Sequence, residues 1–310
     1  MEGPTRIDKR KRAGVVSTIL SSFFLGWAPI LGKMAYGGGA TPFTVVALRT
    51  AVAALLLWCV FLLLWRKEIP IGWTALVGCL GVGVVNGLGS LLYYSSLARL
   101  NASRAALLNT LYPLWVVLFL FAAGQSLTAL TLMRLALSMA GTYLLTRAGP
   151  GELDWLGVTL MIASAAMYGW HLVLGQWVLA DVPSRQATLY IVTAMACVVA
   201  LARGLQGEAV EPVTAAGWGA IVALGLTTAL SRLAMFAGLE QLGGIETALT
   251  SLLELVVSLL LAFLLLGERL TVGQSIGGVL LIVSLALMTW DRGVRLAEGD
   301  VPLEWEETST

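Results

Sequence analysis

Long apolar runs joined by short polar connections fill this chain, and they decide what it can fold into. A hydrocarbon layer roughly 30 Å thick takes about 20 consecutive apolar residues in helical form. Inside that layer every backbone N–H and C=O must find a partner within the protein, which leaves helices or closed barrels as the spanning structures. Ten runs of helical length can be read, from Ala13 to Ala35, Phe43 to Trp65, Gly72 to Ala98, Ala102 to Ala122, Thr128 to Thr146, Trp155 to Val178, Arg185 to Ala202, Thr214 to Gly238, Gly244 to Leu266 and Val272 to Trp290, referred to below as spans 1 to 10. Apolar residues make up 58% of the 310 and charged residues only 12%, so these runs are not the core segments of a soluble domain. The expected fold is an all-α membrane protein of ten transmembrane helices.

A second constraint is internal. GWAPILGK, Gly26 to Lys33, returns as GWHLVLGQ, Gly169 to Gln176, an offset of 143 residues, and the turn GQSLT, Gly124 to Thr128, returns at the same offset as GERLT, Gly267 to Thr271. Between these anchors the register slips by one, which sets Tyr112 opposite Glu254. The chain therefore divides into a basic N-terminal segment (1–12), a first five-helix repeat (13–146), a linker loop (147–154), a second five-helix repeat (155–290) and a C-terminal tail (291–310). An odd number of spans per repeat forces the second half to enter the membrane upside down. Inverted repeats around a midplane site are a transporter architecture.

Location matters more than sum for the charges, since a net charge of +1 favours neither nucleic acid nor another acidic partner. Arg6, Lys9, Arg10, Lys11 and Arg12 precede span 1, and the following run is too long for a signal peptide, so a retained first helix with a cytoplasmic N-terminus is expected. Ten spans return the C-terminus to the same side, beside Arg292 and Arg295. The expected setting is the inner membrane, multi-pass, with the chain acting as a monomer. Cys59, Cys79 and Cys197 stand singly within spans and read as buried packing residues.

Enzymatic chemistry finds little support. The Gly-Lys ending of GWAPILGK fails as a phosphate loop, because five residues rather than four separate Gly26 from Gly32 and Met34 stands where Ser or Thr is needed. HExxH does not occur, and one histidine builds no histidine-rich metal site. Neither a cofactor nor a metal is expected.

Pro29 should break span 1, since proline lacks the backbone donor and crowds the preceding turn. Lys33 and Arg49 read either as snorkelling cations or as groups at a pore mouth. Trp27 and Trp170, each about three residues past the middle of an inverted span, or roughly 5 Å at 1.5 Å per residue, fall on opposite sides of the midplane and would floor and roof one cavity, unless they are packing residues. Asn86, Ser90, Tyr93 and Tyr94 share a face of span 3, Gly83 and Gly87 of the same span stand at GxxxG spacing, and Asn109 and Tyr112 lie one turn apart in span 4 before Pro113. These polar groups offer contacts to a substrate or hydrogen bonds between helices. His171 reads as a packing residue or a proton-handling group. Thr247, Thr250, Glu254 and Ser258 line one face of span 9. Glu254, near the bilayer centre, is a substrate-amine contact, a carrier of a coupling proton, or the ion-pair partner of Arg232.

With its five-plus-five arrangement, the proline inside span 4 before GQSLT, and GERLT followed by GQSIGG, the chain resembles the EamA-type members of the drug/metabolite transporter superfamily. That resemblance implies a ten-helix exporter of small metabolites, amino acids among them, with a central cavity lined by spans 1, 3, 4, 6, 8 and 9. Leu255 stands where the family pattern has a proline after the glutamate, which removes the sequence reason for a kink in span 9. The expected function is export of small amphipathic metabolites, foremost amino acids, by alternating access, with glycine-rich spans 3 and 8 sliding on their neighbours. A drug or nucleotide-sugar carrier and, from another class, a membrane scaffold or channel are the alternatives.

Overall fold

The computed structural model describes residues 6–123, 154–207, 212–251 and 253–280, with residues 133, 136, 137, 140, 141, 143, 144, 282 and 283. Regular structure among the described residues is helical throughout, with no strand. The helices are α1 (Arg6–Leu25), α2 (Ala28–Gly37), α3 (Pro42–Leu64), α4 (Trp73–Arg99), α5 (Ala102–Asn109), α6 (Tyr112–Ala122), α7 (Trp155–Val178), α8 (Ser184–Leu205), α9 (Ala215–Leu242), α10 (Gly244–Thr250) and α11 (Leu253–Leu266). Seven helical stretches among them are long and apolar enough to cross a membrane. Leu55, Leu63, Leu64, Val77, Leu201 and Leu264 are exposed around the bundle, as side chains facing lipid would be. The chain is a multi-pass membrane protein. Most of span 5, with GQSLT, and span 10 beyond 283 lie outside the described residues.

Among the described residues three spans are broken near their middles, and two of these breaks carry a proline. In span 1 the helix stops at Leu25 and restarts at Ala28, with Pro29 in the first turn of α2, where a missing N–H costs nothing. In span 4 it stops at Asn109 and restarts at Tyr112, with Pro113 in the first turn of α6. Span 9 is broken as well, between Thr250 and Leu253, and this corrects the expectation drawn from Leu255. Tertiary docking does there what proline does elsewhere. Ser258 of α11 donates to the carbonyl of Gly26 at the span 1 break (2.9 Å), and a Cβ on Gly26 would meet Val257 Cγ1 at 2.6 Å, so α11 seats directly on that hinge. Span 6, the counterpart of span 1 in the second repeat, has no proline and runs unbroken as α7.

Helix α4 packs mainly against α7 and α8, and α1 against α9, so the two halves are interleaved. The GxxxG glycines of α4 face α8. A Cβ on Gly83 would meet Ala194 Cβ at 2.5 Å, and one on Gly87 would meet Val198 Cβ at 2.9 Å. Of the cysteines only Cys79 is buried, whereas Cys59 and Cys197 lie on the outer surface, which corrects the packing role expected for those two.

Candidate functional site

Between the halves lies a cavity holding about 60 Å³ open to the centres of water molecules, room for roughly five waters. Its walls come from both repeats: Leu25 and Ala28 at the span 1 break, Arg49 of α3, Asn86, Gly89, Ser90, Tyr93 and Tyr94 of α4, Asn109 of α5, Ser164 and Tyr168 of α7, Arg232 of α9 and Glu254 of α11. The α4 set repeats every three or four residues, the stripe one helix face presents. Gly89 brings α7 close, since a Cβ there would meet Met167 Cβ at 2.9 Å, and Ser164 Oγ donates to the Gly89 carbonyl (2.9 Å).

Two buried guanidiniums dominate the site. Arg49 is 4% exposed and donates to Thr228 Oγ1 (3.0 Å) and Ser90 Oγ (2.5 Å), with its plane 4.5 Å from the centre of the Tyr94 ring. This corrects the snorkelling reading, because the head group turns into the bundle. Arg232, 5% exposed, donates to Asn86 Oδ1 (3.1 Å) and Met235 Sδ (3.4 Å) and lies 5.4 Å from the Tyr168 ring centre. Its Nη1 also meets His171 Nε2 at 3.4 Å. Arginine only donates, so a hydrogen bond there has His171 Nε2 as its acceptor. His171 is fully buried, stacked 5.7 Å from Tyr168 and edge-on to Phe236. It supports Arg232 from behind and does not line the cavity.

Glu254 faces the cavity from the break between α10 and α11, with its Oε2 unpartnered among the described residues. No carboxylate oxygen lies within 4.0 Å of Arg49 or Arg232 among those residues, so the proposed ion pair with Arg232 is not formed. Other cavity-wall atoms also lack partners among the described residues: Asn86 Nδ2, Tyr94 Oη, Arg49 Nε and Arg232 Nε. Buried polar atoms are rarely left so, and their clustering here points to a space meant for polar cargo or water.

Seven of the eleven residues expected from the sequence line this cavity: Asn86, Ser90, Tyr93, Tyr94, Asn109, Arg232 and Glu254. Tyr112 is buried beside it, donating to the Ala248 carbonyl (3.2 Å) and packed edge-on to Tyr168. With Asn109, Ser251, Glu254 and Ser258 it bounds a side chamber of about 10 Å³, room for about one water. The tryptophans do not floor and roof the cavity. Trp27 packs part-buried against the cluster containing Leu31, Ala35 and Tyr94, and Trp170 is 41% exposed, edge-on to Phe119. Tyr168, two residues earlier, is the aromatic that α7 turns inward.

A family model described as the EamA-like transporter family matches this chain twice, over residues 12–147 and 155–290. The uncharacterized transporter YcbK of Bacillus subtilis (strain 168) is 26% identical over 292 residues, covering 88% of this chain and 92% of that protein. A solved crystal structure superposes with a TM-score of 0.67 over 91% of this chain and 99% of its own, at 22% identity, a likeness of fold.

Proposed function

Because the chain belongs to the EamA-like transporter family, we propose that it is a secondary exporter of small amphipathic metabolites, amino acids foremost. In this reading ten helices form two inverted repeats, both termini face the cytoplasm, and the halves rock to open one central cavity to each side of the inner membrane in turn. The observation that carries it is the cavity itself. Charged and hydrogen-bonding side chains from both halves converge on a water-sized space deep in an apolar bundle, several with atoms that no group among the described residues satisfies. Such groups are expensive at membrane depth and are kept where they meet a solute. An amino acid suits them, since its carboxylate matches a guanidinium, its ammonium matches Glu254, and its side chain lies along Tyr93, Tyr94 and Tyr168.

The test is efflux from liposomes holding the purified protein and labelled amino acids, with and without a pH gradient. Saturable efflux is expected, and a gradient that accelerates it would assign Glu254 the coupling proton. Failure of every amino acid to leave faster than from protein-free vesicles would reject the proposal. A second reading, a carrier of phosphorylated or nucleotide-sugar metabolites, is favoured by Arg49 and Arg232 facing one cavity, and sugar phosphates in the same vesicles distinguish it.

A further inference from the structure

Arg49 and Arg232 reach the cavity from different repeats, and no partner either one holds among the described residues is a carboxylate: two hydroxyls for Arg49, and an amide oxygen, a thioether and an imidazole nitrogen for Arg232. Thr228 Oγ1 itself donates to the Leu224 carbonyl (2.6 Å), which leaves its lone pairs aimed at Arg49. The tyrosine rings lie beside the guanidiniums, and Nε of each arginine is buried with no partner among the described residues. An Nε–Nη edge is what a carboxylate grips with two parallel hydrogen bonds. Both cations line one cavity, and neither has a carboxylate within 4.0 Å among the described residues. A buried cation is costly without a counter-ion. In the cavity wall two guanidiniums stand against the one carboxyl of Glu254.

We infer that Arg49 and Arg232 together form a carboxylate-binding subsite that selects amino acids of net negative charge, those with a second carboxylate on the side chain. Two guanidiniums facing Glu254 across one cavity are matched by two carboxylates and one ammonium. A neutral amino acid leaves one guanidinium bare, a basic one adds a third cation, and a phosphate dianion without an amine sets like charge against Glu254. The inference rests on the amino-acid reading above and narrows it.

Labelled glutamate, leucine, lysine and glucose 6-phosphate are loaded separately into liposomes containing the full-length protein, and initial efflux rates are compared. Glutamate should leave about tenfold faster than leucine or more, the factor that one charge-assisted hydrogen-bonded pair is worth, and lysine should stay. Arg49→Gln and Arg232→Gln should each lower glutamate efflux about tenfold and lower leucine efflux less, so that the preference for glutamate over leucine narrows. Arg232→Lys, which keeps the charge and loses the two-pronged edge, should fall between. Glutamate should also raise the midpoint of thermal unfolding of the detergent-solubilised protein more than leucine does. Leucine moving as fast as glutamate, or variants that lose both equally while eluting as folded protein, would overturn the subsite and leave amino-acid export standing. Faster efflux of the sugar phosphate would overturn it too. If the glutamine variants do not fold, the ranking of substrates by the wild-type protein decides. No flux of any amino acid would reject the underlying reading instead.

Discussion

Glu254 has one carboxyl oxygen without a partner among the described residues and a cavity in front of it. Glu254→Gln keeps its shape and removes its charge, so KM for amine-bearing substrates should rise about tenfold with expression unchanged. An unaltered KM in liposome transport would remove the ammonium contact. Tyr168→Ala should weaken transport, whereas Trp170→Ala should leave KM and turnover near wild type. The reason is also why the sequence pointed to the wrong aromatic. Residues two apart on a helix face directions about 200° apart, so choosing Trp170 from the repeated GW motif turned attention away from the face that carries Tyr168, Ser164 and His171. The stripe on α4 was legible because step-of-three-or-four spacing is a property of one helix alone. Arg49 was not, since its partners Ser90 and Thr228 are 41 and 179 residues away in sequence.

At the scale of elements, the turn that first served to detect the repeat has a job in the fold. Gly267 takes φ +65°, a left-handed conformation suited to glycine, and turns the chain so that Glu268 meets the start of α5. Its two carboxylate oxygens accept from Ala102 N (2.9 Å) and Ser103 N (2.8 Å), while Asn101 Oδ1 accepts from Arg104 N (2.9 Å). Three of the helix's first backbone donors are thereby satisfied, two of them from the other repeat. At the start of α10, Gln176 Oε1 accepts from Gly244 N (2.9 Å), while Gln125, the counterpart of Glu268 in the repeat, lies outside the described residues. Glu268→Ala should lower stability by about 1–2 kcal/mol, the usual cost of a lost helix cap, read as a lower thermal midpoint in detergent. Helix packing supplies a second prediction. A Cβ on Gly225 of α9 would meet Val52 Cγ1 at 2.5 Å and the Arg49 carbonyl oxygen at 2.9 Å, so Gly225→Val must push α3 away and shift Arg49 from Thr228. Transport should fall more steeply than the thermal midpoint. Prolines announced two of the three helix breaks, but the third depends on α11 docking at Gly26, a contact between residues more than 230 apart that no local pattern encodes.

Across the whole molecule, the long apolar stretches and the two matched halves were readable because span length and repetition survive without coordinates. What the halves enclose was only partly readable, since it depends on how they interleave. One tie between them is open to solvent. Asp154 accepts from Gly157 N (2.8 Å) at the start of α7 and from Arg99 Nη1 (3.0 Å) at the end of α4, and these hydrogen bonds, the backbone N–H foremost, hold its carboxyl below the ordinary 3.8. A depressed carboxyl stabilises the folded state above its unfolded value and loses that contribution as pH falls through the folded one. The gap in thermal midpoint between wild type and Asp154→Ala should therefore be constant near neutrality and close as the buffer is taken below pH 3.8.

The bare guanidiniums also bear on how the carrier returns. Sealing the cavity while it is empty would occlude two cations against the one carboxylate of Glu254, leaving an unbalanced charge away from water at a cost on the order of several kcal/mol, whereas sealing it around an acidic amino acid occludes a neutralised set. The empty protein should then reorient slowly and the loaded protein quickly. Such a carrier trades one solute for another more readily than it runs one way, so unlabelled glutamate outside the vesicles should speed the exit of labelled glutamate from within.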